Sequence, residues 1–242
     1  MTVRLDGIDL VVFDKDGTII EFGPMWSGWA VALADALTAA AGRPVAGPLY
    51  AMLGVDPETG AVTPGGGLAA TPMSRLRDRT REVLLACGLG EAEAERALEA
   101  AWHAPDPVAL ARPLTDLRAL FDRLRAGGCR IAVATTDDRD PTERTLAALG
   151  IAGLIDATVC ADDGIAVKPA PDMVLHLCAT LGIAPARTAV VGDTAADLQM
   201  ARAAGAGLTI GVLTGVGGRA DLEPLADALI ASVEELQVGV AT

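Results

Sequence analysis

The sequence has few aromatic residues, and its cysteines form no metal-binding pattern. Aromatics make up 3% of the 242 residues and hydrophobic residues 51%, so a core has to be built from small aliphatic side chains. The four cysteines, Cys87, Cys129, Cys160 and Cys178, include no CxxC pair. This spacing argues against a structural zinc site and predicts buried, reduced thiols.

The chain also lacks the sequence features of an exported or membrane protein. Residues 1–6 have no apolar core of a signal peptide, and Asp35 interrupts the apolar run of residues 26–41. We therefore expect no membrane span and a cytoplasmic location. The net charge of −13 disfavours nucleic acid and anionic membranes as partners. The sequence carries no prediction of oligomeric state.

Two common nucleotide-binding fingerprints are absent. No glycine-rich segment ends in the Gly-Lys-Ser/Thr of a phosphate-binding P-loop. The turn at residues 215–218, Gly-Val-Gly-Gly, follows a late strand pattern and lacks the helix-opening spacing of a dinucleotide site. Phosphate binding, if present, must therefore use other residues.

The most informative segment is residues 10–18, an apolar strand pattern that runs into two acids. Asp14 and Asp16 are separated by one residue, and Gly17 follows them. Side chains at positions i and i+2 of a strand point to one side, so both carboxylates can face the same small volume. Such a pair needs a cation or a shared proton, and Mg²⁺ suits carboxylate oxygens. An ordinary Asp-rich turn is the alternative interpretation.

Three further polar positions follow strand or turn patterns downstream. Thr135 ends the apolar run of residues 131–134, Lys168 precedes a proline, and Asp193 follows the run of residues 189–192, with Asp197 four positions on. Taken singly, Thr135 or Asp193 could be helix caps and Lys168 a solvated lysine. Because strand carboxyl ends share one edge of a parallel sheet, their order predicts a common site.

This ordered set resembles the four motifs of the haloacid dehalogenase superfamily, in particular its phosphoglycolate phosphatase-like branch. The resemblance spans residues 10 to about 236 and implies a phosphoric monoester hydrolase acting on a small phosphorylated metabolite. It implies that Asp14 attacks phosphorus to form an aspartyl phosphate and that Asp16 is the general acid and base. Thr136 stands where the family often has asparagine, which bears on specificity.

The resemblance also implies a set of ligands for metal and phosphate. Mg²⁺ would be held by Asp14, Asp16 through its main-chain carbonyl, and Asp193, with Asp197 as a ligand or as support for the ligands. The phosphate would be bound by residues that offer positive charge or hydrogen bonds, namely Lys15, Thr135, Thr136 and Lys168. Of these, Thr135 and Lys168 would also stabilise charge that grows in the transition state.

The strand and helix patterns predict an α/β fold with a doubly wound, mainly parallel sheet. Predicted strands near residues 10–13, 131–135, 157–160, 189–192 and 208–212 alternate with helices. The strand pattern is missing between about Ile20 and Arg112. We therefore expect a catalytic core of residues 1–20 and 113–242 and an inserted helical domain of residues 21–112, which in the family is a C1-type cap.

Other functions of the same fold remain open at this point. A 2-haloacid dehalogenase has no phosphoryl leaving group to protonate and generally lacks the second acid, so Asp16 counts against it. A phosphomutase would need a catalytic base in the cap, where none is obvious. A non-catalytic phosphate-sensing protein could keep the fold without turnover.

Overall fold

The computed structural model describes residues 2–238, which form two compact units. The first unit, the core unit, contains the described residues up to Phe22 and those from Pro107 onward. The second, the inserted unit, is Gly23–Asp106. The sequence-based division placed the insertion at residues 21–112.

The core unit is built on a parallel sheet. Its strands are β1 (Val3–Arg4), β2 (Leu10–Phe13), β3 (Arg130–Ala134), β4 (Ala157–Val159), β5 (Thr188–Gly192), β6 (Leu208–Val212), β7 (Ala228–Ile230) and β8 (Leu236–Gln237). Six of them pair in the order β4-β3-β2-β5-β6-β7, and every pairing is parallel. The strands β1 and β8 form a separate two-stranded parallel sheet.

The helices divide between the two units. The helices of the inserted unit are α1 (Phe22–Ala41), α2 (Ala46–Leu53), α3 (Gly67–Ala70), α4 (Met73–Ala86) and α5 (Glu91–Ala101). The first residue of α1, Phe22, belongs to the core unit. Those of the core unit are α6 (Leu117–Ala126), α7 (Arg139–Ala148), α8 (Asp172–Leu181), α9 (Ala195–Ala204) and α10 (Arg219–Leu222).

The strand order places a topological switch beside β2. From β2 the chain adds β3 and β4 on one side, and it then returns to add β5, β6 and β7 on the other. Ligands of open α/β sheets bind at the carboxyl ends of strands next to such a switch. The ends of β2 and β5 are therefore where this fold offers a site.

Both faces of the sheet are buried, as the continuous apolar runs of its central strands require. On one face Leu10 and Val12 pack with residues of α8 and α9, including Leu177 and Ala201. Phe13 contacts Phe121 of α6 with ring centroids 5.4 Å apart. Burial on both sides makes β2 a rigid support for the residues that follow it.

The inserted unit is helical, and its described residues contain an isolated bridge between Val55 and Val62 in place of strands. Three tryptophans form its aromatic centre: Trp29 makes edge-to-face contacts with both Trp26 and Trp102. The ion pairs Arg77–Glu95 and Arg81–Glu91 join α4 to α5.

The predicted fold class is confirmed, and the bounds of β2 and β6 match the predicted strands. The short elements β1, β7, β8, α2, α3 and α10 were not predicted. Across residues 2–238, no helix combines the length and the apolar character needed to span a bilayer. The four cysteines are free thiols, and Cys87 differs from the expectation because it is partly exposed.

Candidate active site

Three carboxylates converge where β2 and β5 end. Asp14 follows β2, Asp193 follows β5, and Asp197 lies in the first turn of α9. Each has a ligand oxygen within 4.8 Å of those of the other two, and all three residues are buried. The parallel register that pairs Phe13 with Val191 brings the two strand ends together. The acids predicted at these strand ends therefore share one site.

Lys168 binds two of these carboxylates. Its Nζ atom lies 2.5 Å from Asp14 Oδ1 and 2.6 Å from Asp197 Oδ1. The other oxygen of Asp197, Oδ2, accepts hydrogen bonds from the main-chain N–H and the hydroxyl of Thr194, which caps α9. Asp197 thus fixes the lysine to the start of a helix, and the lysine in turn holds Asp14.

The cluster of Asp14, Asp193, Asp197 and Lys168 has three carboxylates and one ammonium group. Burial and these charges shift the pKa values of Asp14, Asp193 and Lys168. Burial raises the pKa of Asp14 to about 6, although Lys168 opposes the shift. Burial, and next the charges of Asp14 and Asp197, raise the pKa of Asp193 well above its usual value. Burial lowers the pKa of Lys168, but attraction and hydrogen bonds from Asp14 and Asp197 outweigh burial and raise it overall.

The loop that follows β6 closes over Asp193, a contact that the sequence did not predict. The Val216 N–H donates to Asp193 Oδ2 at 2.8 Å, and the Gly217 N–H donates to the Asp193 carbonyl at 3.0 Å. A Cβ atom at Gly215 would lie 1.8 Å from Asp193 Oδ2. The glycine-rich turn of residues 215–218 therefore lets the backbone approach a buried carboxylate.

Lys15 is placed differently from its predicted role in phosphate binding. Its side chain is wholly buried, and its Nζ lies 2.8 Å from Asp16 Oδ2 and 3.2 Å from Asp137 Oδ2. The phosphate contact of Lys15 stays a prediction, and in the structure its ammonium group contacts these two carboxylates. Of the 19 cationic residues only Lys15 and Lys168 are lysines, a bias in the sequence that singles out both positions.

The loop after β3 carries the predicted hydroxyls. Thr135 is buried, and its Oγ1 accepts a hydrogen bond from the Asp137 N–H at 3.1 Å. Thr136 beside it is partly exposed. Since β3 pairs directly with β2, this loop lies at the strand end next to Asp14. Asp137, which no sequence motif singled out, links the loop to Lys15.

The buried carboxylates predict a pH-dependent stability. A carboxyl group with a raised pKa in the folded protein favours folding below its unfolded pKa, near 3.8, and this contribution is lost as the pH rises through the folded pKa. In the presence of a chelator, we expect the unfolding free energy to fall from pH 4 through about 6 and beyond. Asp193→Asn should then stabilise the protein by about 1–3 kcal/mol at pH 8, and by less at pH 5.

Urea unfolding at the two pH values measures this difference. Asp122→Asn is the matched control, because Asp122 is an exposed carboxylate on α6 and the same chemical change should leave stability nearly unchanged. A decrease in the stability of Asp193→Asn at pH 8 would contradict the expected cost of burying this charge.

Comparison with known proteins identifies the family. Residues 8–205 match the family model of haloacid dehalogenase-like hydrolases. The chain belongs to this family. The predicted enzyme class, a phosphoric monoester hydrolase of the phosphoglycolate phosphatase-like branch, is confirmed.

The relatives that match this family member include two curated phosphoglycolate phosphatases. The one from Rhodospirillum rubrum is 30% identical over 203 residues, covering 81% of this chain and 76% of the relative. The one from Aquifex aeolicus is 27% identical over 199 residues, covering 81% of each. The fold is similar to the crystal structure of a phosphatase of this family from Thermococcus onnurineus, with a TM-score of 0.66, 20% identity and coverage of 94% and 95% of the two chains.

Proposed function

We propose that this hydrolase is a Mg²⁺-dependent phosphatase that cleaves a small phosphorylated metabolite through an aspartyl phosphate. The observation that supports this most directly is the buried contact of Lys168 with both Asp14 and Asp197 beside Asp193. This arrangement joins a carboxylate nucleophile, a fixed cation and a candidate metal site in one small volume. The likeness to curated phosphoglycolate phosphatases supports a small anionic substrate.

In this proposal Asp14 is the nucleophile. Lys168 holds Oδ1 at 2.5 Å, which leaves Oδ2 for attack on phosphorus. The new bond joins Asp14 Oδ2 to phosphorus, and the bond from phosphorus to the ester oxygen breaks. One difficult displacement becomes two easier ones, because the aspartyl phosphate is then hydrolysed in a second step.

Asp16 moves the proton in both steps. In its protonated form it gives a proton to the leaving ester oxygen, so that the product leaves as a neutral alcohol. It then accepts a proton from the water that attacks the phosphorus of the aspartyl phosphate. The second step releases inorganic phosphate, restores the Asp14 carboxylate and returns Asp16 to its protonated form.

The donor set fits a divalent cation. Three buried carboxylates face a single ammonium group at Lys168, and hard oxygen ligands with excess negative charge suit Mg²⁺. Asp14 and Asp193 with the Asp16 main-chain carbonyl would hold the ion, with Asp197 as a further ligand or as support through its ion pair with Lys168. Bound there, the ion would neutralise charge between an anionic nucleophile and an anionic phosphoryl group.

Residues of the core unit would orient the phosphoryl group and offset its charge. Lys168 approaches Asp14 closely enough to share its ammonium group with a phosphoryl oxygen as charge builds up. The Thr135 hydroxyl accepts a bond from Asp137, so its own proton is available to donate. Thr136 would contribute beside it. The inserted unit would serve as the C1-type cap that excludes water.

Removal of metal tests the proposal. We expect EDTA to lower phosphate release from 4-nitrophenyl phosphate at least about 100-fold, and added Mg²⁺ to restore it, because uncompensated carboxylates repel an anionic substrate. Phosphate release is measured at pH 7.5 with the same protein before and after chelation.

Three outcomes would overturn the proposal. Undiminished turnover in EDTA would remove the metal from the reaction. Chloride release from 2-chloropropionate without added metal would favour a dehalogenase. Absence of turnover across a panel of phosphorylated metabolites and aryl phosphates with Mg²⁺ would favour a protein that only senses phosphate.

A further inference from the structure

A second buried group of charged side chains, Lys15, Asp16 and Asp137, follows the ends of β2 and β3, and the proposed chemistry uses only Asp16 of the three. Lys15 lies in the turn after β2, where the N–H groups of Thr18, Ile19 and Ile20 all donate to its carbonyl. Its ammonium group contacts Asp16 and Asp137, and the three side chains are buried or nearly so, at 0%, 13% and 6% exposed. A wholly buried lysine is rare unless carboxylates pair with it.

Asp137 is itself fixed from two directions. Its Oδ1 accepts a hydrogen bond from the Asp138 N–H, and its own N–H donates to Thr135 Oγ1. The carboxylate therefore belongs to the loop after β3, next to the predicted phosphate-binding hydroxyl. Through Lys15 this loop is connected to Asp16, the proposed proton donor, in the turn after the neighbouring strand β2.

We propose that Lys15 and Asp137 are positioning residues that hold the Asp16 carboxylate where it can pass its proton to the leaving oxygen. Lys15 contacts Asp16 Oδ2 at 2.8 Å, and this contact fixes the orientation of the Asp16 carboxylate. The inference rests on the proposed function, in which Asp16 is the general acid.

The position of the Lys15 ammonium group depends on Asp137 as well as on Asp16. Removing Asp137 would take away one of the two carboxylates that contact this buried group. A buried ammonium group needs well-placed partners. With Asp137 in place, Lys15 is held from the loop after β3 and can in turn orient the Asp16 carboxylate.

The expected effect depends on the leaving group. Phenyl phosphate and 4-nitrophenyl phosphate have similar shapes, but the phenyl ester has the more basic leaving oxygen and needs the proton more. We expect Lys15→Met to lower kcat/KM for phenyl phosphate about 10–100-fold and for 4-nitrophenyl phosphate less than about threefold. This parameter reports the steps up to formation of the aspartyl phosphate.

Asp137→Asn provides a second variant if Lys15→Met fails to fold. It keeps the size of the side chain and removes one charge, and it should show the same selective loss for phenyl phosphate. Asp156→Asn is the matched control, because Asp156 is mostly buried and pairs with the partly exposed Arg125 at 2.7 Å, at the amino ends of β3 and β4. Its ratio of the two kcat/KM values should equal that of the wild type.

Asp16→Asn separates failure of this inference from failure of the proposed function. Suppose that Asp16→Asn lowers kcat/KM selectively for phenyl phosphate, and that the Lys15 and Asp137 variants lower kcat/KM equally for both esters. The positioning role is then wrong and the acid role stands. If Asp16→Asn lowers kcat/KM equally for both esters, the acid role fails, and the positioning role fails with it. Selective loss in all three variants supports both.

Discussion

Asp14→Asn is expected to lower kcat for 4-nitrophenyl phosphate by at least about 10⁴-fold while the protein stays folded. An amide oxygen is a weak nucleophile, so the aspartyl phosphate cannot form, and loss of a nucleophile removes nearly all of the rate in enzymes of this kind. The fold should persist, because burial already raises the pKa of Asp14 to about 6 and a neutral amide avoids that cost. Phosphate release and circular dichroism measure the two effects.

Trapping the intermediate distinguishes nucleophilic attack from activation of water by Asp14. Rapid acid quenching of wild type during turnover should give a peptide containing Asp14 that is heavier by one phosphoryl group. The exposed-site control, Asp122→Asn, should retain full activity and the same adduct. Turnover by Asp14→Asn within about tenfold of wild type would refute the nucleophile assignment.

Gly215→Ala should cause the second largest loss, although residue 215 carries no chemical group. The added methyl would lie 2.2 Å from Asp193 Cγ as well as against its Oδ2, so either the loop after β6 or the carboxylate must move. A shift of about 1 Å at a catalytic group can cost about 100-fold in rate, and overpacking costs about 1–3 kcal/mol. We expect activity to fall about 10²- to 10³-fold and stability to fall with it.

Titration of activity with Mg²⁺ and thermal unfolding measure these losses. The displaced Asp193 should raise the Mg²⁺ concentration needed for half-maximal activity. Gly153→Ala is the control in the same unit, because a Cβ atom there would have no neighbour within 4 Å. Wild-type activity in Gly215→Ala would show that the loop accommodates the methyl and that its approach to Asp193 is not needed.

The long buried strands and their terminal polar residues could be predicted from the sequence. The apolar runs ending at Phe13 and at Gly192 set the bounds of β2 and β5 within a residue, and Asp14 and Asp193 follow them directly. The pattern works because a parallel sheet buries both faces of its central strands and collects their carboxyl ends at one edge.

Short elements and long-range backbone contacts could not be predicted in this way. The two residues of β1 pair with β8, more than 230 positions away along the chain, and so short a segment has no readable periodicity. The helix α2 contains Gly47 and Pro48 near its start, residues that normally mark a turn. The N–H of Val216 has no signature in sequence, although it binds Asp193 directly.

The partners of the Lys15 side chain could not be predicted for a related reason. Its position in the sequence, between the two acids proposed to be catalytic, favours contact with phosphate. Its partner Asp137 lies on another strand end, and only the pairing of β2 with β3 brings the two together. Burial on both faces of the sheet then directs the ammonium group to the carboxylates inside the core unit.

Because both lysines of the sequence are buried, cleavage after lysine can report local opening of the core unit. A protease that cuts after lysine finds only Lys15 and Lys168 in the sequence, and both side chains are enclosed in the core unit. The bond after Lys168 leads into proline, which such proteases cleave poorly. Digestion after Lys15 therefore reads out how often the turn beyond β2 detaches from its neighbours, without any label or substitution.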